Sequence, residues 1–260
     1  MVILSADTST NAYTVGLFEV ESPPLGPIVT RTLSEKTSSK PRRHVEELLQ
    51  SVDDLLGETG LSGPGIDALA ISIGPGSFTG LRIGASMWKG LALGWGTPLV
   101  AVPTLDAMTR LVDDCPGYIC PLIDARMDEV YGAVYQLENG GRRKRTDDLV
   151  CALGPFLDTA IETAEEDDEK ASITFVGDGA ALYRESIQDR VPGAVFPTPL
   201  PTMARASCIA EEAAARMDQG LPINAAEVAP VYLRRSQAER VAPKLPTSAP
   251  KARANSAEKQ

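Results

Sequence analysis

The chain has 260 residues, 43% of them hydrophobic and 23% charged, which excludes wholesale disorder or a fibrous architecture and allows two small domains, each with its own core. Its formal charge of −10 argues against nucleic acid held by this chain alone, because that affinity rests largely on Lys and Arg displacing counterions from phosphates. No apolar run reaches the roughly 20 residues that span a bilayer. The start MVILSADTST has neither a basic segment before an apolar one nor a cleavage site, so a cytoplasmic location is expected.

The opening VILSADTSTNAYTVGLFEV reads as strand, polar turn and strand, a β-hairpin with Asp7 at the turn. A Pro/Gly loop at 22–27 and a strand at 28–33 follow. From Pro41, residues Val45, Leu48, Leu49, Val52, Leu55 and Leu56 recur at helical spacing, with Glu46, Glu47, Asp53 and Asp54 off that stripe, predicting an amphipathic helix that stops near Gly57 to Gly60. The buried-strand pattern IDALAISI at 66–73 runs into GPGSFTG, a helix from about Thr79 to Gly94, and the short strand TPLVAV. Strand, helix and strand in that order imply a right-handed parallel crossover and an α/β layer.

A second unit begins near Pro103 to Arg110, and YICPLIDARMDEVYGAVYQL repeats the character of the N-terminus. Asp124 then stands in the second hairpin where Asp7 stands in the first, which points to a duplicated fold. Further on come an acidic loop at 164–170, the strand and Gly-rich turn ITFVGDGA at 173–180, and a helix from Ala204 to Met217. Beyond Val241 the composition predicts a disordered tail. The expected domains are therefore 1–105, 106–240, with the latter's last helix and strand segment packing back on the first domain, and the tail 241–260.

GPGSFTG combines glycines after a strand with a helix start, as a phosphate cradle does. It fails the specific templates: Gly80 comes one residue late for a Walker loop and is followed by Leu81, and it also displaces the third glycine of GxGxxG. A nucleophile elbow around Ser77 fails because Pro75 and Thr79 stand where glycines are required. The plainer reading is a tight turn, Gly74, Pro75, Gly76, Ser77, Phe78 and Thr79, with Ser77 or Thr79 capping the helix. Gly84 and Gly90 each cost about 1 kcal/mol inside a helix, so something must compensate. Gly80, Gly84 and Trp88 share one face, suited to close approach either of another protein's helix or of this chain's own sheet or first helix. Arg82 and Lys89 are candidate anion contacts or simply solvated charges.

Asp7 and Asp124 could hold a hydrated metal near a phosphate, or serve only as turn formers. Gly177 and Gly179 of GDGA would let a backbone approach a nucleotide. RRKR at 142–145 reads as a hairpin tip. Cys115, Cys120, Cys151 and Cys208 match no zinc spacing and read as reduced structural thiols, and His44 is the single histidine, so neither a metal site nor a peptidase constellation is expected.

ILSADTST, RRHVEELL, GPGSFTGLRIGASMWKGLAL, IDARMDEVYGAVY, FVGDGA and PVYLRRSQAE, in that order across residues 2–240, resemble the TsaB (YeaZ) family, non-catalytic partners of TsaD in bacterial tRNA threonylcarbamoyladenosine synthesis. The resemblance implies two actin-like (ASKHA, RNase H-like) domains with mixed sheets flanked by helices. It implies no activity of the chain by itself and no required cofactor, with ATP or ADP admissible at the partner interface. The implied partners are a TsaD-like catalytic subunit, a TsaE-like ATPase in the assembled complex and a second copy of the chain; tRNA is reached only through the complex. It assigns partner binding to the two N-terminal helices, and so to Val45, Leu48, Leu49, Val52, Gly80, Gly84, Met87, Trp88 and Leu91. Asp7, Asp124, Gly177 and Gly179 become a vestigial nucleotide site, the competing reading being an ASKHA-type ATPase or phosphotransferase that uses the two aspartates. Trp88 departs from the small residue common before Lys89 in related sequences.

Overall fold

A computed structural model describes residues 1–23, 28–38, 44–112, 115, 117–138, 141–166, 171–221 and 225–234, with the side chains of 44–46 outside the description. The tail expected at 241–260 lies outside the described residues.

The N-terminal third folds as β1 (Val2–Asp7), β2 (Tyr13–Glu21), β3 (Val29–Ser38), α1 (His44–Thr59), β4 (Ala68–Ser72), α2 (Phe78–Trp95) and β5 (Leu99–Val102). The strands form one sheet in the order β3-β2-β1-β4-β5. The hairpin pairs are antiparallel, while β4 and β5 join parallel to β1. The chain then passes through α3 (Thr104–Met108) to β6 (Gly117–Arg126), β7 (Glu129–Gly132), β8 (Tyr135–Glu138), β9 (Gly141–Lys144), β10 (Leu149–Ala152), α4 (Leu153–Glu165), β11 (Ile173–Val176), α5 (Asp178–Leu182), α6 (Arg184–Arg190) and α7 (Ala206–Asp218).

The second sheet repeats the first. β7 and β8 together run antiparallel beside β6, β9 and β10 lie outside them, and β11 joins β6 in parallel on its other edge. A single parallel bridge from Thr174 to Val195 stands where the first sheet has β5. A hairpin, a third antiparallel strand and a helical crossover to a parallel strand thus occur twice, and the two aspartates occupy matching positions on β1 and β6.

Layering follows from strand alternation, which sends successive side chains to opposite faces. Leu4, Ala6, Val15, Leu17, Leu69 and Ile71 pack against Leu48, Val52 and Leu55 of α1 and Trp88 and Ala92 of α2. The opposite face of that sheet, with Ile3, Phe18, Ala70 and Val100, meets Leu105 and Met108 of α3, Ile209, Ala210 and Ala213 of α7, and Ile119, Ile123 and Val176 of the second sheet. Beyond that sheet, Phe156, Leu157 and Ala160 of α4 close a third core with Tyr118, Leu122 and Phe175. α7 therefore lies between the sheets, tied to β1 by the Ser5 hydroxyl donating to the Ala206 carbonyl at 2.7 Å. The RRKR run is not a free basic tip: Lys144 pairs with Asp106 and Asp148, and Arg145 donates to Gln136 and Glu166.

Candidate functional site

The glycine turn is filled by the chain itself. Ser77 caps α2, its hydroxyl accepting from the Gly80 amide at 3.3 Å, as the helix-start chemistry predicts. The Ser77 amide donates to the Ser9 carbonyl at 2.6 Å, and the Gly74 amide to the Thr104 hydroxyl at 3.1 Å. Gly74 and Gly76 have φ of +111° and +154°, and a Cβ at Gly76 would lie 2.4 Å from the Ser9 carbonyl oxygen. Three amides of GPGSFTG, those of Gly74, Ser77 and Gly80, are thus committed internally. Arg82 lies over the Phe78 ring at 3.9 Å and donates to the Tyr232 hydroxyl at 2.9 Å. Thr79 and Lys89 stand on the outer side of the helix, exposed and half-buried.

The stripe of Gly80, Gly84 and Trp88 faces inward, which corrects its assignment to a partner surface. A Cβ on Gly80 would sit 2.0 Å from the Thr8 carbonyl oxygen, and one on Gly84 2.4 Å from the Thr8 hydroxyl. Trp88 is fully buried, with its indole N–H 3.5 Å from the Leu4 carbonyl. The glycines let α2 lie close on β1 and β4, and the ring fills the space beyond them. Leu48 is likewise buried beneath α1. The Val45 side chain lies outside the described residues.

What remains outward is a different set. Leu49 of α1 and Leu93 of α2 are 52% and 79% exposed. Between the two helices runs a groove of about 420 Å³ lined by Leu49, Val52, Leu56, Leu91 and Trp95, with Gln50 and Asp53 at its edge. Met87 and Leu91 are half-buried beside it. Gly90 and Gly94 also lie on the outer side, where an added Cβ would meet nothing within 4 Å. Leu93 and Trp95 were not among the expected partner residues, although Trp95 stands four residues after Leu91 on the same side of the helix.

Behind α2's N-terminus a second cleft, about 240 Å³, is lined by Ser9, Thr10, Asn11, Gly76 and Ser77 on one wall and Ile123, Asp124, Ala125, Arg126, Tyr131 and Asp178 on the other. Asp7 lies behind the first wall. Its carboxylate accepts from the Ser9 amide at 3.2 Å and the Ser9 hydroxyl at 3.0 Å. Burial pushes that carboxyl above its ordinary value, against the hydrogen bonds from Ser72 and Ser9. Asp124 pairs with Arg126 at 2.9 Å. Asp178 accepts from the Asp124 amide at 3.0 Å, and burial raises its pKa, with the neighbouring Asp124 charge adding to the rise.

Asp178, flanked by Gly177 and Gly179, was not among the expected site residues. Both glycines lie close against β6: a Cβ at Gly177 would lie 2.0 Å from the Leu122 carbonyl oxygen, and one at Gly179 3.1 Å from the Leu122 carbonyl carbon and Cβ. Among the described residues no group of three His, Cys, Asp or Glu could hold a metal ion. The turn after β6 is unusual, since Arg126, Met127 and Asp128 all have φ near +60°, namely 65°, 59° and 60°. Such left-handed geometry costs roughly 1–2 kcal/mol per non-glycine residue.

Two RNase H-like units in tandem, with aspartates at matching strand positions and a cleft between them, define an actin-like (ASKHA) protein. The family model described as TsaD, tRNA N6-adenosine threonylcarbamoyltransferase, matches residues 31–242. The TsaB protein of tRNA threonylcarbamoyladenosine biosynthesis from Escherichia coli is 39% identical over 54% of this chain and 58% of its own length, so that alignment spans little more than half of that relative. Its counterpart from Haemophilus influenzae is 29% identical over 90% of this chain and 94% of its own. A solved Pseudomonas aeruginosa structure, titled as similar to peptidase YeaZ, superposes with a TM-score of 0.70 at 30% identity, covering 90% of this chain and 99% of that one. The chain belongs to the TsaD-type threonylcarbamoyltransferase family, and within it to the TsaB (YeaZ) branch.

Proposed function

We propose that this chain is the non-catalytic scaffold subunit of a tRNA N6-threonylcarbamoyladenosine transferase complex, binding a TsaD-like catalytic subunit through the outer face of α1 and α2. The observation that carries this reading is the outward Leu49 on the apolar groove, together with the exposed Leu93 and the open space above Gly90 and Gly94 on the outer side of α2. A helix that spends glycines where its own chain fills nothing, next to exposed Leu, is suited to close approach by a second helix. The names of the relatives direct the choice of partner: they are threonylcarbamoyladenosine biosynthesis proteins. A TsaE-like ATPase joins the assembled complex, a second copy of the chain competes for the same face, and tRNA is engaged only through the complex. The chain requires no cofactor of its own, and the partner interface is where ATP or ADP would sit. The division into 1–105 and 106–240 and a cytoplasmic location belong to the same proposal; among the described residues no helix is long and apolar enough to cross a membrane.

The competing reading, an ATPase or phosphotransferase built on Asp7 and Asp124, draws support from the cleft itself and from Asp178 on its wall. It loses ground at Asp7, which lies behind the cleft wall with its carboxylate engaged by the Ser9 amide and hydroxyl. The deciding experiment is reconstitution of tRNA modification from purified partner subunits with and without this chain. The scaffold reading expects modification only when it is present and no ATP hydrolysis by the chain alone. Full modification in its absence, or hydrolysis abolished by Asp124→Ala, would remove the scaffold role.

A further inference from the structure

Residues 225–234 do not line the groove between α1 and α2, although Val228 packs into the core beneath those helices, and they bridge the β4–α2 rim beside one wall of the cleft and Ala125 on the other. On the first unit, the Val231 amide donates to the Ile73 carbonyl at 2.7 Å, and the Tyr232 ring lies 4.9 Å from that of Phe78 while its hydroxyl accepts from Arg82. On the second, the Arg234 guanidinium donates to the Ala125 carbonyl at 2.9 Å, pairs with Glu129 at 2.8 Å and lies 3.5 Å from the Met127 sulfur. The Arg234 and Glu129 side chains are 18% and 34% exposed, so this is a partly buried pair rather than a loose surface one.

Two features of the fold are shaped around this segment. A Cβ at Gly74 would lie 2.8 Å from the Val231 carbonyl oxygen, so the first glycine of the GPGSFTG turn leaves room for it. The three successive left-handed residues after β6 are flanked by Ala125 and Glu129, the two residues that Arg234 holds. An unfavourable backbone conformation persists only where its surroundings over-determine it. A planar guanidinium that grips a carbonyl and a carboxylate together supplies that constraint.

We propose that residues 225–234 form a strap that gates the cleft: seated, it ties the β4–α2 rim to the β6–β7 turn and holds Asp124 and Arg126 at the mouth; released, the turn relaxes and the cleft opens. The device is independent of the α1–α2 face and would stand even if that face bound nothing.

Amide hydrogen exchange on the full-length chain tests it, comparing the wild type with Arg234→Ala and Tyr232→Ala. Both variants are expected to speed exchange across 125–129 by about tenfold, with β1 and β4 unchanged. Tyr232→Ala is the sharper of the two, because the Tyr232 ring and hydroxyl engage Phe78 and Arg82 of the first unit while the readout lies on the second. Glu129→Gln breaks the same tie from the other side and decides the matter if Arg234→Ala fails to fold. A second readout is the rate at which a bulky maleimide labels Thr10→Cys on the cleft wall, in a Cys151→Ser background; it should rise in each strap variant. Unchanged exchange at 125–129 in folded variants would overturn the strap, as would acceleration spread evenly through the molecule.

Discussion

The two faces of α2 use glycine for opposite ends. On the inner face Gly80 and Gly84 sit where Thr8 occupies the space of any side chain, and Trp88 fills the remaining volume under β1. On the outer face Gly90 and Gly94 leave space that no described part of the chain enters, beside an exposed Leu93. An interior helical glycine costs about 1 kcal/mol relative to alanine wherever it stands. Close packing recovers that cost on the inside. On the outside no described part of the chain does, and that asymmetry, more than the presence of glycine, marks the surface on which a partner helix is expected.

Substitutions can break this comparison. The largest effect is expected at Trp88→Ala, which empties the inner face and should lower unfolding free energy by about 3–5 kcal/mol in urea titrations. Gly80→Ala follows, because backbone must move to admit its Cβ, at about 3 kcal/mol by the same measurement. Gly90→Ala should act in the opposite direction, stabilising the isolated chain by about 1 kcal/mol in thermal or urea unfolding. Equal destabilisation by Gly80→Ala and Gly90→Ala would erase the distinction between the faces.

The smallest effect concerns the residue beside Thr8. Burial raises the folded-state pKa of Asp7 above its ordinary 3.8. The unfolded chain then ionises first, so this group's contribution to stability is fully present below the unfolded value and is lost as pH rises through the folded one. Asp7→Asn should therefore gain on the wild type in stability as pH climbs above about 4, read from urea midpoints across a pH series.

The sequence made the local architecture readable. Alternation at Val15, Leu17 and Val20 marks β2, the Leu48–Val52–Leu55 stripe marks α1, and Ser77 before an apolar run marks a capped helix, all within a few residues of each feature. The matching of Asp7 and Asp124 was also visible, since two hairpins of like pattern suffice for it. The direction of the Gly80–Gly84–Trp88 face was not. Helical spacing groups residues on a face without saying what lies opposite, and Thr8, which occupies that space, is far away in the chain. Asp178 and the Arg234 contacts escaped for the same reason: the amide of Asp124 and the carbonyl of Ala125 leave no trace in the periodicity of the segments that meet them. The strand at 28–33 was read short of β3 because its second half, Ser34 to Ser38, alternates half-buried and exposed with polar side chains alone, so no apolar alternation marks it.

The central claim is that the outer α1–α2 face is the docking surface, and it is tested most directly by calorimetric titration of a purified TsaD-like subunit with the Leu49→Asp, Leu93→Asp double variant. Both side chains are exposed, so the variant should keep the wild-type circular dichroism and unfolding midpoint. The account predicts affinity weaker by about 100-fold or more, as loss of two apolar anchors implies. Wild-type affinity in the folded variant would contradict it.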